Sequence, residues 1–180
     1  MSISKINLKN DLTTIVKQYV KVLERLNPTL HYYSQVKDEK DSNKLCLLYY
    51  NLTNSLVEPR PRKVHKSNFF YCPSKFRIVL EIVEEKIENG EEIIQYLSRG
   101  VQWVDDKNIK RNRHRDALLD AWGIHHIHLG AYIESNGFVK RSGLILLVKF
   151  DNDNAYFLMM KRHGRKGKRM YNPWNSQILI

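Results

Sequence analysis

The sequence predicts an α+β fold in which N-terminal helices precede a C-terminal antiparallel β-sheet. Two observations lead to this prediction. Apolar residues recur at helical spacing in the first half of the chain, whereas runs rich in β-forming residues concentrate after residue 123. The length of 180 residues fits one domain, with residues 1–57 as a candidate helical N-terminal subdomain.

The first helix is predicted between Asp11 and Leu26. Six apolar side chains recur there at the i, i+3, i+4 spacing of one helical face, and they are Leu12, Ile15, Val16, Tyr19, Leu23 and Leu26. The dipeptide Asn27-Pro28 ends the pattern. The run LCLLYYNL at 45–52 fits either a strand or a buried turn of helix.

Three further helices are predicted along the chain. One extends from Pro73 to Asn89, and Gly90 suits its C-terminal cap. A shorter helix is expected over Glu91–Leu97. The run RHRDALLDAWG predicts a last helix, which ends at Gly123.

The segment EPRPRKVHKSNFFYCPSK, residues 58–75, combines cations with aromatic residues. Its two prolines, one residue apart, exclude helix and favour extended backbone. It fits a solvated connector that ends in core aromatic residues. It fits equally a basic arm that holds phosphate beside a stacking platform. In the second interpretation Arg60 and Arg62 bind nucleic acid from an outer arm.

The pattern after Gly123 is typical of strands. GIHHIHLGAYI predicts a strand that leads into the turn Ser135-Asn136-Gly137. GLILLVKF and AYFLMMK then flank the polar loop DNDN, which predicts an antiparallel hairpin.

Three histidines fall within four positions of the first of these strands. Alternation places His126 and His128 on one face, roughly 6–7 Å apart at the backbone, together with Tyr132. His125 falls in the opposite, apolar row, where we expect it to be buried and hydrogen-bonded.

The chain is strongly basic. Thirty Lys and Arg residues against nineteen Asp and Glu give a net charge of +11. A polyanionic partner would relieve the self-repulsion of this surplus, so nucleic acid is the first candidate partner. An anionic membrane surface and an acidic protein are the second and third.

The sequence also indicates a compartment. It has no run of about 18 apolar residues that could form a transmembrane helix, and MSISKINLKNDL lacks the apolar core of a signal peptide. We therefore expect a cytoplasmic protein without a membrane partner. Cys46 and Cys72 are expected to be reduced thiols.

Three interpretations of the histidine strand stay open. His126 and His128 could bind a metal ion with Asp120 as third ligand. They could instead supply the base and the acid for cleavage of RNA by its own 2′-hydroxyl, without a metal. They could also be structural residues that bond to their neighbours.

The run KRHGRKGKR at 161–169 places six cations and one histidine in nine positions. It fits either a solvated basic loop or a segment that follows a phosphodiester backbone. In the second interpretation the phosphate binders are Lys161, Arg162, Arg165 and Lys166. His163 would then approach the face of His126 and His128.

The leading hypothesis is a basic RNA-binding protein that acts as a metal-independent endoribonuclease of toxin or phage-defence type. Its expected catalytic residues are His126, His128, Tyr132 and His163, with no cofactor and with RNA, or an acidic antitoxin, as partner. The alternatives are a non-catalytic nucleic-acid-binding or interaction module and a divalent-metal nuclease or hydrolase that uses His126, His128 and Asp120.

The motifs PRPRKV, YLSRG and LLDAWGIHHIHLG together resemble a family of uncharacterised bacterial and mobile-element proteins. The resemblance carries no known activity, so it implies no role for any residue.

Overall fold

The computed structural model describes residues 8–26, 41–99 and 117–162. It confirms the predicted α+β class. The helices are α1 (Leu8–Leu26), α2 (Ser42–Ser55), α3 (Arg77–Asn89) and α4 (Ala117–Trp122). The strands are β1 (Lys63–Lys66), β2 (Ile124–His128), β3 (Leu144–Phe150) and β4 (Asn154–Arg162).

The helices follow the periodicity of the sequence with small differences. The ambiguous run at 45–52 is helical, within α2. Gly90 caps α3 as predicted, because its φ of 73° is left-handed and its N–H donates to the Ile87 carbonyl at 3.2 Å. The predicted helix over Glu91–Leu97 is only a single 3-10 turn, Ile94–Tyr96. No helix within the described ranges is long and apolar enough to cross a membrane.

The four strands form one sheet in the order β1-β4-β3-β2. β2, β3 and β4 are antiparallel, and the predicted hairpin joins β3 to β4. β1 pairs with β4 in parallel, so it extends the predicted antiparallel sheet by one parallel strand and the whole sheet is mixed. The physical reason is that the extended backbone after the two prolines lies beside β4, where the Lys63 and Ser67 N–H groups donate to the Asp153 and Phe157 carbonyls.

The main core lies on one face of this sheet. Buried residues of α1, α2 and α3 pack there with strand residues, and they include Val16, Leu45, Leu80, Val83, Ile127, Leu146, Val148 and Phe157. A smaller cluster of Leu118, Ile124, Ile145 and Leu147 occupies the other face. The N-terminal helices and the sheet thus share one core, whereas the division at residue 57 stays a prediction.

The chain between β2 and β3 folds back on itself in a tight excursion, residues 129–143. Ile133 and Val139 form an isolated antiparallel bridge, and Gly137 turns the chain with a φ of 77°. Gly130 lies against the opposite limb. A Cβ on Gly130 would lie 2.9 Å from the Lys140 backbone nitrogen and closer still to its carbonyl oxygen.

This close approach predicts that Gly130→Ala destabilises the fold. The added methyl group must push two backbone segments apart, so we expect a loss of more than about 2 kcal/mol in the free energy of unfolding. Gly143→Ala is the matched control, because a Cβ there meets nothing within 4 Å. Urea denaturation compares the two variants, and equal effects would contradict the tight packing at Gly130.

Candidate nucleic-acid interface

The structure confirms that His126 and His128 share one face of the sheet. Their ring centroids are 5.4 Å apart and the rings meet edge to face. His128 pairs with Ile145, which in turn pairs with Lys161 on the next strand. We call the surface that holds His126, His128 and Lys161 the histidine face. Three of the residues predicted for the site therefore lie on one face.

The burial of the histidines differs from the prediction. His128 is only 2% exposed and pairs with Ile145 of the smaller cluster. His125 was expected to be buried but is half-buried: it is the second residue of β2, and its ring meets that of Phe150 edge-on at 5.5 Å. His126 is half-buried. His126 is thus the more exposed histidine of this face.

Tyr132 does not continue the histidine strand. β2 ends at His128, and Tyr132 lies on the excursion, exposed, with Lys140 Nζ 5.1 Å from its ring centroid. The expectation that one strand carries both His128 and Tyr132 was wrong, because the chain bends at Gly130 to pair with its own return limb.

The predicted basic tail is described only at its start. Lys161 is half-buried and Arg162 is exposed, and both are still part of β4. His163, Arg165 and Lys166 lie outside the described residues.

The structure does not bring together the three ligands that the metal interpretation requires. Across the described ranges, no three His, Cys, Asp or Glu side chains form a group that could hold a metal ion, so His126, His128 and Asp120 do not form one. Asp120 instead lines a groove that it shares with His125.

Arg62 occupies an unexpected position. It was placed on an outer arm, yet it is buried. Its Nε donates to the Asp151 carbonyl and its Nη1 to the Glu58 carbonyl, both at 2.8 Å. Its guanidinium also lies 5.5 Å from the centroid of the Phe150 ring. Burial, and then repulsion from Arg60, lower the pKa of Arg62. Arg62 therefore joins the start of β1 to the β3–β4 turn.

A groove of about 450 Å³ lies beside Arg62. The end of α2, the connector to β1, the end of α4 and the β3–β4 turn line it. Three carboxylates, of Glu58, Asp120 and Asp151, face one guanidinium and one imidazole there. This balance of charge disfavours phosphate, so the groove is a poor candidate for the nucleic-acid surface.

The segment after β1 presents two exposed aromatic rings. Ser67 fixes its start, because its N–H and Oγ donate to the Phe157 and Leu158 carbonyls of β4. The Phe70 N–H donates to the Ser67 carbonyl at 2.9 Å, which closes a tight turn. Phe70 then packs on the core. Phe69 and Tyr71 point outward and are 83% and 74% exposed.

We call Phe69 and Tyr71 the aromatic platform. Three cations, Lys66, Lys75 and Arg77, flank this segment in sequence. Burial raises the pKa of the nearby Cys72 thiol, whereas the positive charges of Arg77 and Lys66 oppose that rise. Lys66 also pairs with Glu84 at 2.6 Å. The sequence had left this segment open between a connector and a stacking surface, and the structure exposes two of its three aromatic residues.

A second cationic group was missed by the sequence reasoning. Arg99 pairs with Glu134 of the excursion, and Arg141 lies close enough to both for their charges to affect its pKa. Arg99 and Glu134 are 35 positions apart, and the turn of the excursion separates Glu134 from Arg141. No local sequence motif therefore predicts that the three side chains meet. Only the docking of the excursion on the segment 93–99 brings them together.

Comparisons with protein-family models, curated proteins and solved structures found no match to this chain. The resemblance of its motifs to mobile-element proteins therefore stays a prediction.

The position of Arg62 yields a stability prediction. Arg62→Lys keeps the charge but cannot donate to two carbonyl groups from a planar fork, so we expect a loss of about 1–3 kcal/mol in the free energy of unfolding. Arg60→Lys is the matched control and should change stability by less than about 0.5 kcal/mol. Chemical denaturation measures both, and a neutral Arg62→Lys would contradict the structural role.

Proposed function

We propose that this protein binds single-stranded RNA and that the aromatic platform is its main stacking surface. The observation that carries the proposal is the outward projection of Phe69 and Tyr71 from a turn fixed to the sheet. Bases in a single strand stack on such rings, and each stacked base contributes about 1–3 kcal/mol.

The charge of the chain supports the same proposal. A net charge of +11 favours a polyanion, and cations beside the platform can neutralise the phosphates between stacked bases. Lys75, four positions after Tyr71, is such a cation: its side chain is exposed, and its Nζ lies 4.9 Å from the centroid of the neighbouring Phe76 ring. Binding should therefore weaken steeply with salt.

A protein partner is the rival explanation of the platform. Ile78 and Ile82 of α3 are also exposed and lie one helical turn apart. Such apolar side chains are typical of a protein interface rather than of an RNA surface. The two explanations differ in the effect of salt and in the effect of removing the isoleucines.

The proposal predicts that Phe69→Ala and Tyr71→Ala each weaken the affinity for a fluorescein-labelled oligouridine by about 5- to 150-fold, as expected for the loss of one stacked base. Tyr50→Ala is the matched control, since Tyr50 is 62% exposed on α2, outside the platform. Fluorescence anisotropy measures the affinities. No binding by the wild type at low salt, or an equal loss in Tyr50→Ala, would contradict the proposal.

Cleavage of the bound RNA is a second candidate function, of the kind that toxins and phage-defence nucleases perform. The observation that favours it is the contact between His126 and His128 on the face that also holds Lys161. His126 would take the proton of the 2′-hydroxyl and the 2′-oxygen would attack phosphorus. The bond from phosphorus to the 5′-oxygen would break as that oxygen takes a proton from water, and protonated His126 would return its proton to the hydroxide left behind. The products would be a 2′,3′-cyclic phosphate and a 5′-hydroxyl.

The buried His128 would act in this reaction through its neighbour rather than on the substrate. Its ring lies against that of His126, so it would hold the more exposed imidazole in its orientation. Lys161, in the same row of the sheet, would offset the charge that develops on the phosphorane.

This mechanism predicts that His126→Ala abolishes RNA cleavage in EDTA, whereas His125→Ala retains most of it. An RNA with 2′-deoxy linkages should bind but stay intact, because it lacks the attacking hydroxyl. His128→Asn should lower the rate of cleavage without abolishing it, because it removes the ring against which His126 lies. Gel analysis of end-labelled RNA reports all three. Cleavage that survives His126→Ala, or that needs a divalent metal, would contradict the mechanism, and binding without cleavage would leave the binding proposal alone.

A further inference from the structure

A cluster of two guanidinium groups and one carboxylate lies where the excursion between β2 and β3 meets Arg99. Arg99 Nη2 donates to Glu134 Oε2, and the Asn136 side-chain amide donates to the same oxygen at 3.5 Å. Burial and repulsion from Arg99 lower the pKa of Arg141, whereas the charge of Glu134 raises it. Among the residues that the structure describes, one carboxylate thus faces two cations, and these three side chains carry a net positive charge.

The scaffold under this cluster is rigid. Phe138 and Val139 are buried, and the Val139 N–H donates to the Gln95 carbonyl at 2.9 Å. The Glu134 N–H donates to the Phe138 carbonyl at 2.8 Å. These bonds fix the excursion on the buried segment that ends at Arg99, so the cluster is organised before any ligand arrives.

Arg99 also holds a donor that lacks an acceptor. Its Nε is buried and has no hydrogen-bond partner within the part of the chain that the structure describes. A buried donor left in this state costs about 1–3 kcal/mol. The Nε and one Nη of a guanidinium can bind two oxygens of a phosphate side by side. Glu134 binds Nη2 and leaves Nε without an acceptor. A phosphate would therefore satisfy the Nε donor.

The cluster lies near the histidine face. Arg141 is followed by Ser142, whose Oγ accepts the N–H of Leu129, the residue after His128. β4 ends at the same end of the sheet, because Arg162 pairs with Leu144. A phosphate held by Arg99 and Arg141 would thus lie where β2 and β4 end, beside the cations of β4.

We propose that Arg99 and Arg141 form a binding site for a backbone phosphate of RNA, in which the phosphate takes the place of the Glu134 carboxylate. Arg99 supplies the two-pronged contact, and Arg141 neutralises the remaining charge. Glu134 holds the two guanidinium groups in position when RNA is absent. The assignment of RNA as the source of the phosphate rests on the proposed function.

Phosphate and Glu134 compete for the same guanidinium groups, so removing an arginine and removing the glutamate should change the affinity for RNA in opposite directions. Arg99→Gln and Arg141→Gln should each weaken the binding of the labelled oligouridine by about 10- to 150-fold, as for the loss of a charged hydrogen bond. Glu134→Gln should strengthen binding, because it removes the competing anion. Arg25→Gln, which removes an exposed charge on α1, is the matched control and should change affinity by less than about 3-fold.

A merely structural ion pair would give a different result. All three variants at the cluster would then lower the thermal stability and none would change the affinity more than Arg25→Gln does, which would overturn the proposal. If Arg99→Gln fails to fold, Arg141→Gln and Glu134→Gln still test it, because they move affinity in opposite directions.

A second probe separates the site from the RNA proposal. Inorganic phosphate should raise the melting temperature of the wild type, and this rise should vanish in Arg99→Gln. Stabilisation by phosphate without any binding of RNA would retain the anion site and overturn the proposed function. RNA binding that depends on Phe69 but not on Arg99 or Arg141 would retain the proposed function and overturn the anion site.

Discussion

The structure depends on the pairing of β4 with two strands at once. On one edge β4 forms the antiparallel hairpin with β3, and on the other it accepts β1 in parallel. The second pairing turns a proline-rich basic segment into part of the sheet, so that Arg62 is buried under the hairpin turn and Ser67, the residue after β1, is fixed to β4. The turn at Ser67 then directs Phe69 and Tyr71 outward. The aromatic platform is thus a consequence of strand order.

The same pairing shows what local sequence could and could not predict. The apolar periodicity of α1, the glycine cap of α3 and the DNDN hairpin are encoded by residues close together in the chain, and the structure contains all three. β1 was not predicted, because its partner lies far along the chain. Arg62 bonds to Asp151, 89 positions away, and short strands carry little periodicity of their own.

The candidate site was likewise predicted only in part, because local sequence carries only part of the information that positions it. Alternation correctly placed His126 and His128 on one face, because the period of a strand is local. It could not tell which histidine is buried, since that depends on the elements that cover each face. His128 is buried on the face of the smaller cluster, whereas His125 is half-buried and lines the groove beside Arg62. Arg99 and Arg141 were missed because only the docked excursion brings them together.

The described surface is organised by charge as well as by shape. The groove beside Arg62 gathers carboxylates, whereas Lys161 lies on the histidine face and two guanidinium groups lie at the Arg99–Arg141 cluster. Photocrosslinking of the full chain to an oligouridine, with the crosslinked residues mapped by mass spectrometry, tests this division most directly. We predict crosslinks at Phe69 and Tyr71. Crosslinks confined to Tyr50 and the rest of the acidic groove would contradict the account.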